Sequence, residues 1–202
     1  MRSKPNPEQR RRALCDAAIR LLAEGGLKGV THLRVDRKAG FPDGTTSFYW
    51  RTSSALLRAV AERVVELDLK DLTAATRASA DAAGPSGLAT LVSRSLRGAK
   101  LLRTKARNEL ALQAARDPEL AAALRRNADE FMGLIRDAVL RLQPGGRPTG
   151  PGQVDRQAYA VAMFIGGVMQ DAASGGRRVH DAAELDFLIS GIADGIRRRP
   201  LP

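Results

Sequence analysis

The sequence predicts an all-α chain: three short N-terminal helices arranged as a helix-turn-helix, followed by a longer helical body. Three observations predict it. Ala, Leu and Arg dominate, whereas aromatic residues make up 4% and β-branched runs are scarce, a composition that favours helix. Apolar residues recur at spacings of three and four. Gly and Pro divide the chain at Gly25-Gly26, Gly40, Gly84-Pro85-Ser86-Gly87 and the stretch PGGRPTGPGQ at 144 to 153.

Each element can be justified in order. Residues 8 to 24 form a first helix with Leu14, Ala17, Ala18, Leu21 and Leu22 on one face, stopped by Gly25 and Gly26. Thr31 is an N-cap for a short second helix through Ala39, which Gly40 ends. Pro42 and Asp43 open a third helix that reaches Trp50. Thr52, Ser53 or Ser54 caps a fourth, with Leu56, Leu57, Val60, Val64 and Leu67 inward, running to about Ala83. Helices from about Leu88 to Ala99 and Thr104 to Arg116 follow. Asp117-Pro118 then reads as an N-cap with Pro at the first helical position. It opens a helix whose stripe is Leu120, Leu124, Ala128, Phe131, Ile135, Ala138 and Leu142. Beyond the Gly- and Pro-rich linker come helices 154 to 173 and 182 to 198. The former is apolar on more than one stripe, through Ala158, Val161, Ala162, Phe164, Ile165, Val168 and Met169. Two apolar faces must both be buried, either against a second copy of the chain or within a single central core.

Length and charge narrow the function. With 202 residues the chain fits one ordinary domain or two small ones. The net charge of +11 calls for an anionic partner. Residues 1 to 60 hold 12 Lys and Arg against 5 Asp and Glu, so that partner meets the N-terminal part. One Cys, Cys15, leaves no internal disulfide and makes the cytoplasm the natural compartment. One Cys and two His do not make a zinc site. No apolar run approaches the length of a membrane span, and no membrane partner is expected. No Gly-rich phosphate loop, nucleophile elbow or carboxylate–His pair at ligand spacing is present, so neither an enzyme nor a cofactor is expected.

The third helix carries the functional reading. A helix-turn-helix needs a tight turn with a small residue beside it, and Ala39-Gly40-Phe41 supplies a small residue, a turn Gly and an apolar plug. The reading helix must then offer short polar side chains to a groove, as Asp43, Gly44, Thr45, Thr46 and Ser47 do. On Gly26, Thr31, Val35, Ala39-Gly40-Phe41, Gly44-Thr45, Tyr49-Trp50 and Ala55-Leu56-Leu57, the stretch from Arg10 to Val60 resembles the DNA-binding domain of the TetR family of transcriptional regulators. The resemblance covers about a quarter of the chain. It implies a helix-turn-helix head at 1–54 and a helical regulatory, ligand-binding and dimerisation domain at 55–202. It also implies a homodimer that binds a palindromic double-stranded operator, and a small organic ligand that releases a repressor from it. Three residues depart from the family pattern: Asp36, where a small apolar residue is usual, Ser47, where many members carry Tyr, and Ser53, where a Lys is common. These departures motivate the alternative of a helical ligand-binding or adaptor protein with a degenerate head.

The expected DNA-contacting set is Thr31, His32, Asp43, Gly44, Thr45, Ser47, Phe48, Tyr49, Arg51 and Ser53. Tyr49 either donates to a phosphate or packs in the core, and Trp50 is core. Asp43 either accepts from a cytosine amino group or caps its own helix. Arg10, Arg11, Arg12 and the Arg2–Lys4 arm precede the head and suit backbone or minor-groove contact. Arg197-Arg198-Arg199 reads as a solvated tail, and Cys15 as a packed small residue. Phe131, Met132, Ile135, Met163 and Phe164 are the candidate ligand-binding residues, set against the simpler reading as core.

Overall fold

The computed structural model describes residues 6–78, 85–143, 152–176 and 180–198, the side chains of 75–78 and 127 excepted. The described residues form nine α-helices and no strand: α1 Pro7–Gly25, α2 His32–Ala39, α3 Thr45–Tyr49, α4 Ser53–Ala78, α5 Gly87–Ser95, α6 Gly98–Ala114, α7 Pro118–Arg141, α8 Gln153–Ala173 and α9 Ala182–Arg198. A 3-10 turn, Leu27–Gly29, joins α1 to α2.

Local chemistry accounts for the starts. Asn6 and Gln9 make a reciprocal capping box with Pro7 behind it: the Gln9 amide donates to Asn6 Oδ1 at 2.8 Å and the Asn6 amide to Gln9 Oε1 at 3.0 Å. Thr31 caps α2 by accepting from the Arg34 amide at 3.3 Å, and Gly40 ends it in the left-handed region at φ 73°. Thr52 caps α4, accepting from the Ala55 amide at 3.1 Å. Asp117 caps α7 through the Glu119 and Leu120 amides at 3.1 and 3.0 Å.

Two boundaries and one buried stripe depart from the sequence reading. α3 begins at Thr45, not at Pro42 or Asp43, because residues 42 to 44 are spent on the turn and Gly44 takes φ 94°. The break between α5 and α6 falls at Leu96-Arg97, where Gly98 adopts φ 56°, instead of at 100 to 103. Along α7, Leu120, Ile135 and Ala138 of the expected stripe are buried, Leu134 and Val139 join them, and Ala128 and Leu142, the latter just past the helix, are exposed. The expected end of α4 near Ala83, most of the Gly- and Pro-rich linker, the Arg2–Lys4 arm and Arg199 lie outside the described residues.

Packing divides the chain into two compact units that do not follow chain order. The first comprises Met1–Leu67 with Leu102–Arg126, the second Asp68–Leu101 with Asn127–Pro202. The first core gathers Leu14, Ala18, Leu22, Val35, Leu56 and Val60 with Leu110 and Leu120. The second gathers Leu88, Val92, Ile135 and Val139 with Val161, Ile165, Leu185 and Ile189. No helix among the described residues is long and apolar enough to cross a membrane.

Candidate nucleic-acid interface

A five-residue helix cannot hold its own shape in water, so the position of α3 must come from its neighbours. α2 supplies both of its ends. At the N-terminal end the wholly buried Asp36 accepts from the Gly44 amide at 2.8 Å, the Thr46 amide at 2.7 Å and the Thr46 hydroxyl. A carboxylate removed from water needs donors of this kind, and the positive end of a helix adds to the attraction. At the other end His32 Nε2 lies 2.7 Å from the Trp50 carbonyl oxygen, which closes α3. A carbonyl can only accept, so Nε2 carries the proton, which fixes the tautomer of the neutral ring.

Held this way, α3 buries Thr46 and exposes Ser47 and Phe48. Gly44, Ser47 and Phe48 lie three and four apart and so share a face. Phe48 is 81% exposed and meets the Tyr49 ring edge-on at 5.2 Å. A large apolar ring so exposed at the tip of a basic segment is informative in a way that a buried one is not. Tyr49 and Trp50 instead pack against the first core, and the Arg11 guanidinium lies 5.1 Å from the Tyr49 ring centroid. The Thr45 hydroxyl donates to the Pro42 carbonyl at 2.6 Å, which leaves its lone pairs to accept.

The structure brings the two ends of the expected contact set together. The His32–Trp50 bond joins the start of α2, with Thr31, to the segment holding Arg51 and Ser53, and Arg51 and Ser53 are exposed. Asp43 does not cap α3: its carboxylate faces Arg37 at 3.3 Å, and the cap comes from Asp36. Asp36 is therefore a buried carboxylate with its hydrogen bonds made within the fold. It pairs with the buried Thr46, and the two polar residues satisfy each other. The signal in the sequence was an acidic residue on the buried side of α2 together with a Thr on the buried side of α3.

Several cations of this unit are already engaged. Arg12 pairs with Glu8 at 2.8 Å and Lys38 with Glu24 at 2.9 Å. Arg63 is held by Asp16 at 2.8 Å, a hydrogen bond that pushes its guanidinium further toward the charged form. Cys15 is buried, and burial followed by the Asp16 charge pushes its thiol up to about 12. Such a thiol holds little thiolate near neutrality.

In the second unit, a cleft of about 220 Å³ is lined by Leu72, Thr73, Glu130, Gly133, Leu134 and Asp137. Of the candidate ligand-binding residues, Phe131, Met132 and Phe164 are partly buried against the second core, Ile135 is wholly within it, and Met163 is exposed. α8 and α9 also leave Tyr159, Met163 and Phe187 exposed at 64%, 57% and 77%. Among the described residues no group of His, Cys, Asp and Glu is placed to hold a metal ion.

No family model matches the sequence, and no curated protein matches it. Solved structures do match. A transcriptional regulator from Rhodococcus sp. Rha1 has a TM-score of 0.69 at 19% identity, covering 93% of this chain and 96% of its own. A member of the TetR family from Streptomyces coelicolor A3 has a TM-score of 0.62 at 23% identity, covering 96% of this chain and 98% of its own. The multidrug binding protein EbrR, solved in complex with ethidium, has a TM-score of 0.61 at 22% identity, covering 96% and 99%. The chain thus has the fold of TetR-family transcriptional regulators, an N-terminal helix-turn-helix followed by further helices.

Proposed function

We propose that the chain is a homodimeric transcriptional regulator that reads a near-palindromic DNA operator with α3 and is released from it, as a repressor, by a small organic ligand. The observation that carries this reading is α3 itself: five residues clasped at both ends by α2, with Ser47 and Phe48 turned outward. Nothing in a merely structural element requires so exposed a Phe on so short a helix. The fold shared with the Rhodococcus and Streptomyces regulators supports the same reading.

In this reading residues 1–54 are the DNA-binding domain and 55–202 the regulatory one. Gly44, Thr45, Ser47 and Phe48 face the major groove, where Thr45 accepts from a base amino group and Phe48 meets a thymine methyl. Arg51, Ser53, Thr31 and the Tyr49 hydroxyl meet the backbone, which positions the head without reading sequence. His32 acts from the start of α2 through its bond to the Trp50 carbonyl and not on the DNA itself, and Asp43, beside Arg37, accepts from cytosine. The exposed apolar residues of α8 and α9 pair with their copies in a second chain. A ligand enters beside Phe131, Met132 and Phe164, with Ile135 as the floor and Met163 at the outer margin. That EbrR was solved with ethidium supports a body able to take an organic molecule. Ligand and DNA then favour different conformations and must weaken each other reciprocally. The chain has no catalytic role in this reading and works in the cytoplasm.

Selection of duplexes from a random library by the full-length chain tests the proposal, followed by gel shift with DNA flanking its own gene. An enriched motif with two-fold symmetry is expected. Failure to enrich any motif at moderate salt refutes sequence-specific DNA binding.

A further inference from the structure

α3 is too short to set its own orientation, and its contacts with α2 are polar at both ends. The N-terminal end is fixed by three donors converging on one carboxylate that has no water to replace them. The C-terminal end is fixed by a ring N–H on the carbonyl of Trp50. These bonds are directional, whereas an apolar contact at the same place would tolerate a slide or a roll. We propose that Asp36 and His32 are the positioning residues of the reading helix: from α2 they set the angle and register at which α3 presents Ser47 and Phe48. This rests on the DNA-reading function proposed above. Neither residue need touch a base for the role. Asp36 is buried and cannot, and the His32 Nε2–H is engaged by the Trp50 carbonyl.

The physical consequence is specific. Loss of either bond lets α3 shift by a fraction of an ångström or a few degrees. Base contacts depend on that alignment, because groove donors and acceptors are spaced at fixed positions. Phosphate attraction does not, since it acts over a Debye length. Damage to the clasp should therefore lower the ratio of specific to non-specific affinity and leave non-specific affinity intact.

The test uses the full-length chain, a duplex enriched by the wild type from a random library, and a scrambled duplex of equal length. Asp36→Asn keeps the shape but turns an amide toward donors or loses an oxygen from them. His32→Leu removes the donor to Trp50. Each is expected to lower affinity for the enriched duplex about tenfold, roughly one base contact's discrimination, with affinity for the scrambled duplex unchanged. Thr46→Ser keeps the hydroxyl donor and His32→Gln keeps an N–H at similar reach, so both should retain the wild-type ratio. If Asp36→Asn does not fold, Thr46→Val replaces it, since it removes one donor only; it should still lower the ratio. An unchanged ratio in folded Asp36→Asn or Thr46→Val overturns the proposal, as does an equal loss on both duplexes. Failure of the wild type to enrich any duplex is a different result. It removes the DNA-reading function and the positioning role with it.

Discussion

Asp36 shows how much a single buried charge can organise. A carboxylate at that depth is tolerated only because two amides and a hydroxyl of the next helix converge on it. The residues around it divide by what their polar atoms already do. Thr31 and Thr52 accept in caps and keep their hydroxyl protons to donate, while Arg51 is exposed. Arg51→Ala should therefore weaken enriched and scrambled duplexes alike, and flatten the slope of log affinity against log salt by about 0.9. A titration of binding against salt checks this, and an unaltered slope removes Arg51 from the phosphate contacts. Cys15 offers a pH test. Its thiol rises from 9.0 to about 12 in the folded chain because burial disfavours the thiolate. A pKa raised by folding gives stability that is full below 9.0 and lost as pH climbs toward about 12. Cys15→Ala should accordingly lose less stability than the wild type between those limits, measured by denaturant unfolding at several pH values. In the native chain at pH 8 the thiol should resist alkylation; labelling at the rate of an unfolded thiol would contradict its placement.

At the level of elements, the turn between α2 and α3 depends on Gly40. It sits at φ 73°, and a Cβ built there would meet nothing within 4 Å. Any penalty for a side chain is thus conformational and not steric crowding. Gly40→Ala should cost about 1 kcal/mol, and Gly40→Asn clearly less, because Asn tolerates the left-handed region. Thermal unfolding of the two variants measures the difference, and equal costs would mean that the turn relaxes. α7 gives a second case. Asp117 accepts from two amides at its start, so Asp117→Ala should cost about 1 kcal/mol, while Asp117→Ser should recover most of it.

At the scale of the whole molecule, the proposed dimer rests on the exposed residues of α8 and α9. Of the apolar residues along α8, Val161 and Ile165 are wholly buried in the second core. Tyr159, Met163 and Phe187 are the exposed ones. Met163→Glu or Phe187→Glu should yield a folded monomer at micromolar concentration, with unchanged helical circular dichroism. Val161→Glu should unfold the chain instead, as a charge forced into a core does. Sedimentation with circular dichroism separates the two, and a wild-type monomer at that concentration would refute the dimer.

Much of the helix layout was legible before any coordinates, because its causes are local. Thr31 and Asp117 announce caps by their own side chains. Gly40 announces a left-handed stop, and the spacing of Leu14, Ala18 and Leu22 announces a buried face. The motif from Gly26 to Leu57 was legible for the same reason, since tight turns and small residues leave marks at fixed offsets. Asp36 was not. Its partners are eight and ten residues away on another helix, so in the linear chain it stands as an acid in an apolar place. Asp43, which in sequence could equally cap α3 or read a base, does not cap it: Gly44 holds the N-cap position and the Asp43 carboxylate is turned to Arg37. The outward face of α8 was beyond reach as well. Val161 and Met163 are equally apolar in sequence, and only the packing of α5, α7 and α9 around that helix separates the one that is enclosed from the one that is left to solvent. Local periodicity reports that a face is apolar; burial depends on which other surfaces arrive to cover it, and that is a property of the folded chain.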